Sequence, residues 1–182
     1  MSGIKGLVLL TRFDYIENKY GRNKLKEITA KVNPDREGPL NQPISNSKEY
    51  PEILLGKLDN LITSELFDNN ESEFMNVGQW SAQQLMPRYF QIYLDDKNPE
   101  GFLTQTVLLR DMLIGLGEMT LAELTKKSQM VRINYGQPYT ESVRLSELGF
   151  LVEGCRLCGA QDVKWEEQDK TETSVEYQIG WK

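Results

Sequence analysis

The spacing of apolar residues changes once along this 182-residue chain, and that change constrains the fold more than any other feature. Up to about residue 117, apolar side chains recur every three or four residues, as they do on one face of a helix. Beyond that point Val131, Ile133 and Tyr135 alternate with polar neighbours, which is typical of a strand with one buried face. Because a run of helices precedes the strands, the pattern predicts an α+β fold.

The predicted elements are five helices, a hairpin, a sixth helix and a second hairpin. The helices cover 4–20 and 22–32, and then start at Pro51, near Glu71 and after Asn98-Pro99; the fourth is kinked by Pro87 and continues to Leu94. The hairpins cover 118–135 and 162–181 and flank a helix capped near Ser142. Residues 119–124 are also compatible with a helix. We expect the hairpins to form one four-stranded antiparallel sheet packed on the late helix, because each alone buries little.

The chain length suits one domain, and no internal repeat or boundary divides it. We therefore predict a single domain over 1–182, with a helical part (1–117) and a strand-helix-strand part (118–182). Pro34, Pro39 and Pro43 punctuate a loop over 33–50 that is longer than most connections. This loop is either a solvated connector or a binding loop.

Composition excludes several classes of function. The chain contains no histidine, which removes Ser-His-Asp and Cys-His catalysis as well as His-ligated zinc and haem. A net charge of −6 argues against nucleic-acid binding. No Walker loop, dinucleotide fingerprint or nucleophile elbow is present, and no apolar run is long enough to span a membrane. These features predict a cytoplasmic protein without a cofactor or catalytic site.

Two groups of residues remain as candidate sites. The first is a pocket between helices, framed by aromatic residues and methionine around Pro87: Trp80, Met86, Tyr89, Phe90, Tyr93 and Phe150. At helical spacing, such side chains more often form an ordinary core, and the two interpretations are compatible. The second is the thiol pair Cys155 and Cys158, which can be packed residues, half of a four-thiolate zinc site across a dimer, or a redox pair. Because the pair lies at a predicted helix end, packing is the favoured interpretation.

Two segments resemble those of heme NO-binding (H-NOX) domains and their relatives. The opening, Lys5-Gly6-Leu7-Val8 through Lys19-Tyr20-Gly21, resembles their first helix and the turn after it. The tail, 148–163 followed by Tyr177-Gln178-Ile179-Gly180-Trp181, resembles their last helix and hairpin. The same superfold includes 4-vinyl-reductase domains and TRAPP subunits, and a bacterial paralogous family with a Tyr-Pro pair, here Tyr50-Pro51, is the most similar. The resemblance implies an H-NOX/TRAPP-like α+β fold.

The departures from the H-NOX pattern concern the haem. That family binds haem through a histidine and clamps the propionates with a Tyr-x-Ser-x-Arg motif after the second strand. This chain has no histidine and reads Tyr135-Gly136-Gln137-Pro138-Tyr139, which keeps only the tyrosine. Haem binding is therefore not expected; ligation by Tyr or Cys is the remaining route.

The resemblance leads to two functional hypotheses. The first is a non-enzymatic sensory or adaptor domain, which binds a small apolar ligand or none and signals to a protein partner. The second is a dimeric scaffold that associates through its first helices, as TRAPP-type proteins do. A third hypothesis, ranked last, is an enzyme. It would need a carboxylate- or tyrosine-based site that the sequence does not reveal.

Overall fold

A computed structural model describes residues 3–32, 42–94 and 97–182. The six α-helices it describes are α1 (Gly6–Tyr20), α2 (Arg22–Val32), α3 (Glu52–Leu66), α4 (Phe74–Tyr89), α5 (Pro99–Leu113) and α6 (Glu141–Leu157). The six strands are β1 (Gly3–Lys5), β2 (Glu49–Pro51), β3 (Glu118–Thr125), β4 (Ser128–Asn134), β5 (Lys164–Lys170) and β6 (Ser174–Gly180). The order of helices and hairpins is the predicted one, and the α+β fold class is confirmed. In the described ranges, no helix combines the length and the apolar character needed to cross a bilayer.

The chain divides into two compact units. The first comprises 1–73 and 113–115, and the second comprises 74–112 and 116–182. The single domain predicted for 1–182 stays a prediction.

The first unit contains a two-stranded sheet that the sequence analysis missed. Strand β1 pairs antiparallel with β2, with Ile4 opposite Tyr50. Both strands have only three residues, too few to show an alternating pattern. The predicted loop 33–50 therefore ends inside β2, and its residues 33–41 lie outside the described ranges.

An ion pair is buried among the helices of this first unit. The Nε atom of Arg12 donates to Oδ1 of Asp59 at 3.2 Å, and the two side chains are 5% and 1% exposed. Arg12 precedes Asp59 by 47 residues, so the pair fixes α1 against α3. A buried pair of this kind specifies an arrangement more than it adds net stability, because both ions lose their hydration.

In the second unit, α4 and α6 cross with their backbones in direct contact. A Cβ atom on Gly78 would lie 2.0 Å from the carbonyl oxygen of Ser146, and one on Gly149 would lie 2.2 Å from that of Met75. Glycine is required at both positions because any side chain would overlap the facing backbone. The crossing therefore leaves no space between the two helices at this level.

Helix α4 ends earlier than the sequence predicts. It stops at Tyr89, two residues after Pro87, and a single 3-10 turn over Gln91–Tyr93 follows. Pro87 lies in the last turn of the helix, where it has no N–H to donate to the carbonyl of Gln83 and so weakens that turn. The prediction that the helix continues through Leu94 is wrong.

The four-stranded sheet is antiparallel throughout, in the order β3-β4-β6-β5. Residues 119–124 form part of β3 and not a helix. Along β6, Val175, Tyr177 and Ile179 are buried while the residues between them are partly exposed. The N-cap of α6 is Thr140, two residues before Ser142 and thus near the predicted position; its hydroxyl accepts from the Val143 amide at 3.4 Å.

Candidate functional site

The six residues of the predicted pocket differ in burial. Met86 is fully buried and Phe90 is 9% exposed, whereas Tyr89 is 45% exposed. Trp80, Tyr93 and Phe150 are partly exposed. The set therefore combines buried apolar groups with an accessible rim, which is a suitable composition for the edge of an apolar site.

The aromatic rings form two groups. One group lies where α4 ends and the 3-10 turn follows, and contains Tyr89, Phe90 and Tyr93. The ring centroids of Tyr89 and Phe90 are 6.3 Å apart, and those of Phe90 and Tyr93 are 6.1 Å apart. Phe150 pairs instead with Phe102 of α5, at 6.4 Å. That these six residues bind a ligand stays a prediction.

Phe102 fills the space beside the C-terminal half of α6. A Cβ atom on Gly154 would lie 1.8 Å from Cζ of Phe102, whose side chain is 1% exposed. The ring thus rests directly on the α6 backbone. The sequence spacing between Phe102 and Gly154 carries no signal of this contact.

The predicted thiol pair lies at the C-terminal end of α6 and is fully buried. Cys155 and Cys158 are both 0% exposed and are not joined by a disulfide. The Sγ atom of Cys158 lies 3.9 Å from the carbonyl oxygen of Tyr93, beside the aromatic group. Burial raises the pKa of the Cys155 thiol, which opposes the thiolate form that metals and oxidants require. Within the described ranges no group of three or more Cys, Asp or Glu side chains is arranged to hold a metal ion.

A buried polar network, which the sequence analysis did not identify, lies at the other end of α6. The Nε atom of Arg110 donates to Oε1 of Glu147 at 3.1 Å, and the two side chains are 4% and 9% exposed. The hydroxyl of Tyr135 donates to Oε2 of the same carboxylate at 2.6 Å. The Arg110 guanidinium also lies over the Tyr135 ring, 5.5 Å from its centroid. Burial, followed by the Glu147 charge, raises the pKa of Tyr135 well above its ordinary value.

A second arginine extends this polar region toward the sheet. Arg144 on α6 donates to Glu141 on its own helix, and also to Glu167 of β5 at 2.5 Å and to the hydroxyl of Tyr177 of β6 at 2.8 Å. Tyr177 is fully buried, and burial raises its pKa even though Arg144 opposes the shift. We call the residues Arg110, Tyr135, Glu141, Arg144, Glu147, Glu167 and Tyr177 the polar end of α6.

The chemistry of the polar end favours a structural role. Each of its three carboxylates is held by an arginine, and the phenols of Tyr135 and Tyr177 both have raised pKa values. A general base needs a carboxylate or phenolate that is free to take a proton near neutral pH. These groups instead fix α6 on the sheet.

Comparison with solved structures identifies the fold. A Tt H-NOX variant aligns over 98% of this chain and 95% of its own, with a TM-score of 0.78 and 14% identity. An oxygen-binding H-NOX domain related to soluble guanylate cyclases aligns over the same shares with a TM-score of 0.76 and 12% identity. An H-NOX protein from K. algicida gives 0.72 and 15% identity, with 98% and 97% of the two chains covered. The chain has the H-NOX fold. No protein-family model and no curated protein matches the sequence.

One of the similar structures was solved to probe heme distortion in the H-NOX family. Several donor groups of this chain do not fit an iron porphyrin. It has no imidazole, and both thiols are fully buried. The deep phenols of Tyr135 and Tyr177 have raised pKa values, whereas a tyrosine binds iron as phenolate. The H-NOX fold is thus present in a chain that has no imidazole ligand.

Proposed function

We propose that this chain is a haem-free, non-enzymatic sensory or adaptor domain with the H-NOX fold, which signals to a protein partner. One combination of observations carries the proposal: the likeness to H-NOX structures covers 98% of the chain, while no histidine is present. Fold likeness supports this reading by analogy.

The proposal includes a small apolar ligand at the end of α4. Met86 and Phe90 supply buried apolar surface there, and the exposed Tyr89 supplies an accessible rim. Because α4 and α6 are in backbone contact at Gly78 and Gly149, the ligand would lie beyond that crossing, toward the C-terminal end of α4.

Native mass spectrometry of gently purified protein tests the ligand. We expect an added mass that is lost on denaturation, and saturable binding of anilinonaphthalene sulfonate to protein from which it has been removed. Tyr93→Ala should weaken the binding of this probe, because Tyr93 stacks on Phe90. Ile92→Ala is the matched control, since Ile92 is 87% exposed on the same turn and should leave probe binding unchanged. A bare chain mass together with no saturable probe binding would remove the ligand from the proposal.

The alternative proposal is a dimeric scaffold without a ligand, as in TRAPP-type proteins. The strand β3, at one edge of the four-stranded sheet, has an exposed outer side that favours self-association. Light scattering distinguishes this alternative, because a chain that stays monomeric at all accessible concentrations cannot be a dimeric scaffold.

A further inference from the structure

The two edges of the four-stranded sheet differ in charge. Strands β5 and β3 are the outer strands, and an outer strand presents unpaired backbone N–H and C=O groups. In β5, five of seven residues are charged, with both signs present: Lys164, Glu166, Glu167, Asp169 and Lys170. A register shift between Glu167 and Asp169 further disrupts that edge. These are the features by which natural sheets prevent pairing with another strand.

Strand β3 lacks most of this protection. It has eight residues, no proline and only two charges, Glu118 and Glu123. Its one irregularity is at the turn end, between Glu123 and Thr125. Thr120 and Ala122 are exposed, Leu124 is 45% exposed, and Leu121 is partly exposed. The edge thus combines an open backbone with small and apolar side chains.

The sequence of β3 is complementary to itself. In a regular antiparallel pair, the numbers of any two opposite residues add up to the same total, and the two side chains point to the same face of the sheet. If two copies of β3 pair about a twofold axis at Ala122, Leu121 lies opposite Glu123, and the register shift between Glu123 and Thr125 follows beyond this regular part of the strand. Glu118, at the start of the strand, then lies near the turn of the other copy, which carries Lys126 and Lys127, so opposite charges meet at both ends of the pair. Neither Glu118 nor Lys126 forms an ion pair with the residues that the structure describes.

We propose that β3 pairs antiparallel with β3 of a second copy of this chain, which joins two four-stranded sheets into one of eight strands. This inference deepens the homodimer alternative above and replaces its expected surface, the first helices, with a sheet edge. It stands whether or not the chain binds an apolar ligand. An edge contact is smaller than most permanent interfaces, so we expect a reversible dimer with a dissociation constant in the micromolar range, about 10–100 µM.

Sedimentation equilibrium of the full chain, from about 5 to about 500 µM, tests the dimer. Ala122→Lys should raise the dissociation constant at least about tenfold, because two lysines would then face each other at the axis. Ala122 is exposed, so the monomer should keep its fold and its circular dichroism spectrum. Gln168→Lys, an exposed residue of β5, is the matched control and should leave the dissociation constant unchanged.

An exchange of the charges at Glu118 and Lys126 tests whether the two β3 strands pair antiparallel. Glu118→Lys and Lys126→Glu should each weaken the dimer about three- to tenfold, and the double variant should return it to within about twofold of the wild type. A dimer that is insensitive to Ala122→Lys would overturn this surface while leaving a homodimer through another surface. A monomer over the whole concentration range would overturn the inference, and the test for a ligand would be unaffected.

Discussion

The two ends of helix α6 are built on different principles. Its N-terminal half carries the polar end, where Arg144 and Glu147 bind partners on α5, β5 and β6. Its C-terminal half is mostly apolar: Gly154 supports the Phe102 ring and two thiols are fully buried, while the one buried carboxylate there, Glu153, accepts from Gln83 of α4. The polar end depends mainly on directional bonds between charges, whereas the apolar end depends mainly on shape. We therefore expect the polar end to fix the fold, and the proposed ligand would act at the apolar end.

Removal of one partner from the polar end should have the largest effect. Glu147→Ala leaves the Arg110 guanidinium, 4% exposed, without its counter-charge and leaves the Tyr135 hydroxyl without its acceptor. We expect a loss of about 3–5 kcal/mol in the free energy of unfolding, measured by urea denaturation. The double variant Arg110→Met with Glu147→Met should lose less than Glu147→Ala, because no uncompensated charge remains buried. Equal losses in the two variants would contradict the buried-charge explanation.

A substitution where α4 and α6 cross, between the two ends of α6, should lower the free energy of unfolding almost as much. Gly149→Ala places a methyl group against the Met75 carbonyl, which is backbone and cannot move aside cheaply. We expect a loss of about 3 kcal/mol. Gly56→Ala is the control: nothing lies within 4 Å of its Cβ position in α3, and alanine should raise stability by about 0.5–1 kcal/mol. A Gly149→Ala variant with an unchanged free energy of unfolding would show that the backbones of α4 and α6 are not in direct contact.

At the apolar end of α6, truncation of a side chain should lower the free energy of unfolding by a smaller amount. Cys155→Ala removes one buried sulfur and should reduce the free energy of unfolding by about 1–2 kcal/mol, without altering metal content. Elemental analysis of the wild-type protein provides the second measurement. Stoichiometric zinc that disappears in Cys155→Ala would replace packing with a metal site shared between chains.

The smallest effect concerns pH. Burial alone would raise the pKa of Glu141, but hydrogen bonds from Arg144 and Lys170 outweigh it and lower that pKa. A carboxylate whose pKa is lower in the folded state contributes stability above its unfolded pKa, about 4.3, and loses it as pH falls through the folded value. Glu141→Gln should therefore reduce stability at pH 7 by less than about 1 kcal/mol and flatten its decline toward pH 3. Glu166→Gln, on the exposed strand β5, is the matched control for the loss of one negative charge.

The same contrast explains what the sequence could and could not predict. Apolar periodicity is local, so it identified α2, α5 and the hairpins, and it placed Met86 and Phe90 in a buried stripe. The polar end joins Arg110 to Glu147, and Arg144 to Tyr177, across 37 and 33 residues. No local spacing identifies such partners, because a charged residue within a predicted helix is normally interpreted as exposed to solvent. The close crossing at Gly78 and Gly149 was missed for the same reason, because a glycine's contact partner lies on another helix.

Absorbance spectroscopy of the purified protein, followed by titration with hemin, tests the central claim most directly. A chain with the H-NOX fold and no histidine should be isolated without a Soret band. It should also bind hemin only weakly and without a defined stoichiometry, like any protein with exposed apolar surface. One tightly bound iron per chain with a sharp Soret band would contradict the account, and it would show that a tyrosine or cysteine side chain replaces the missing histidine.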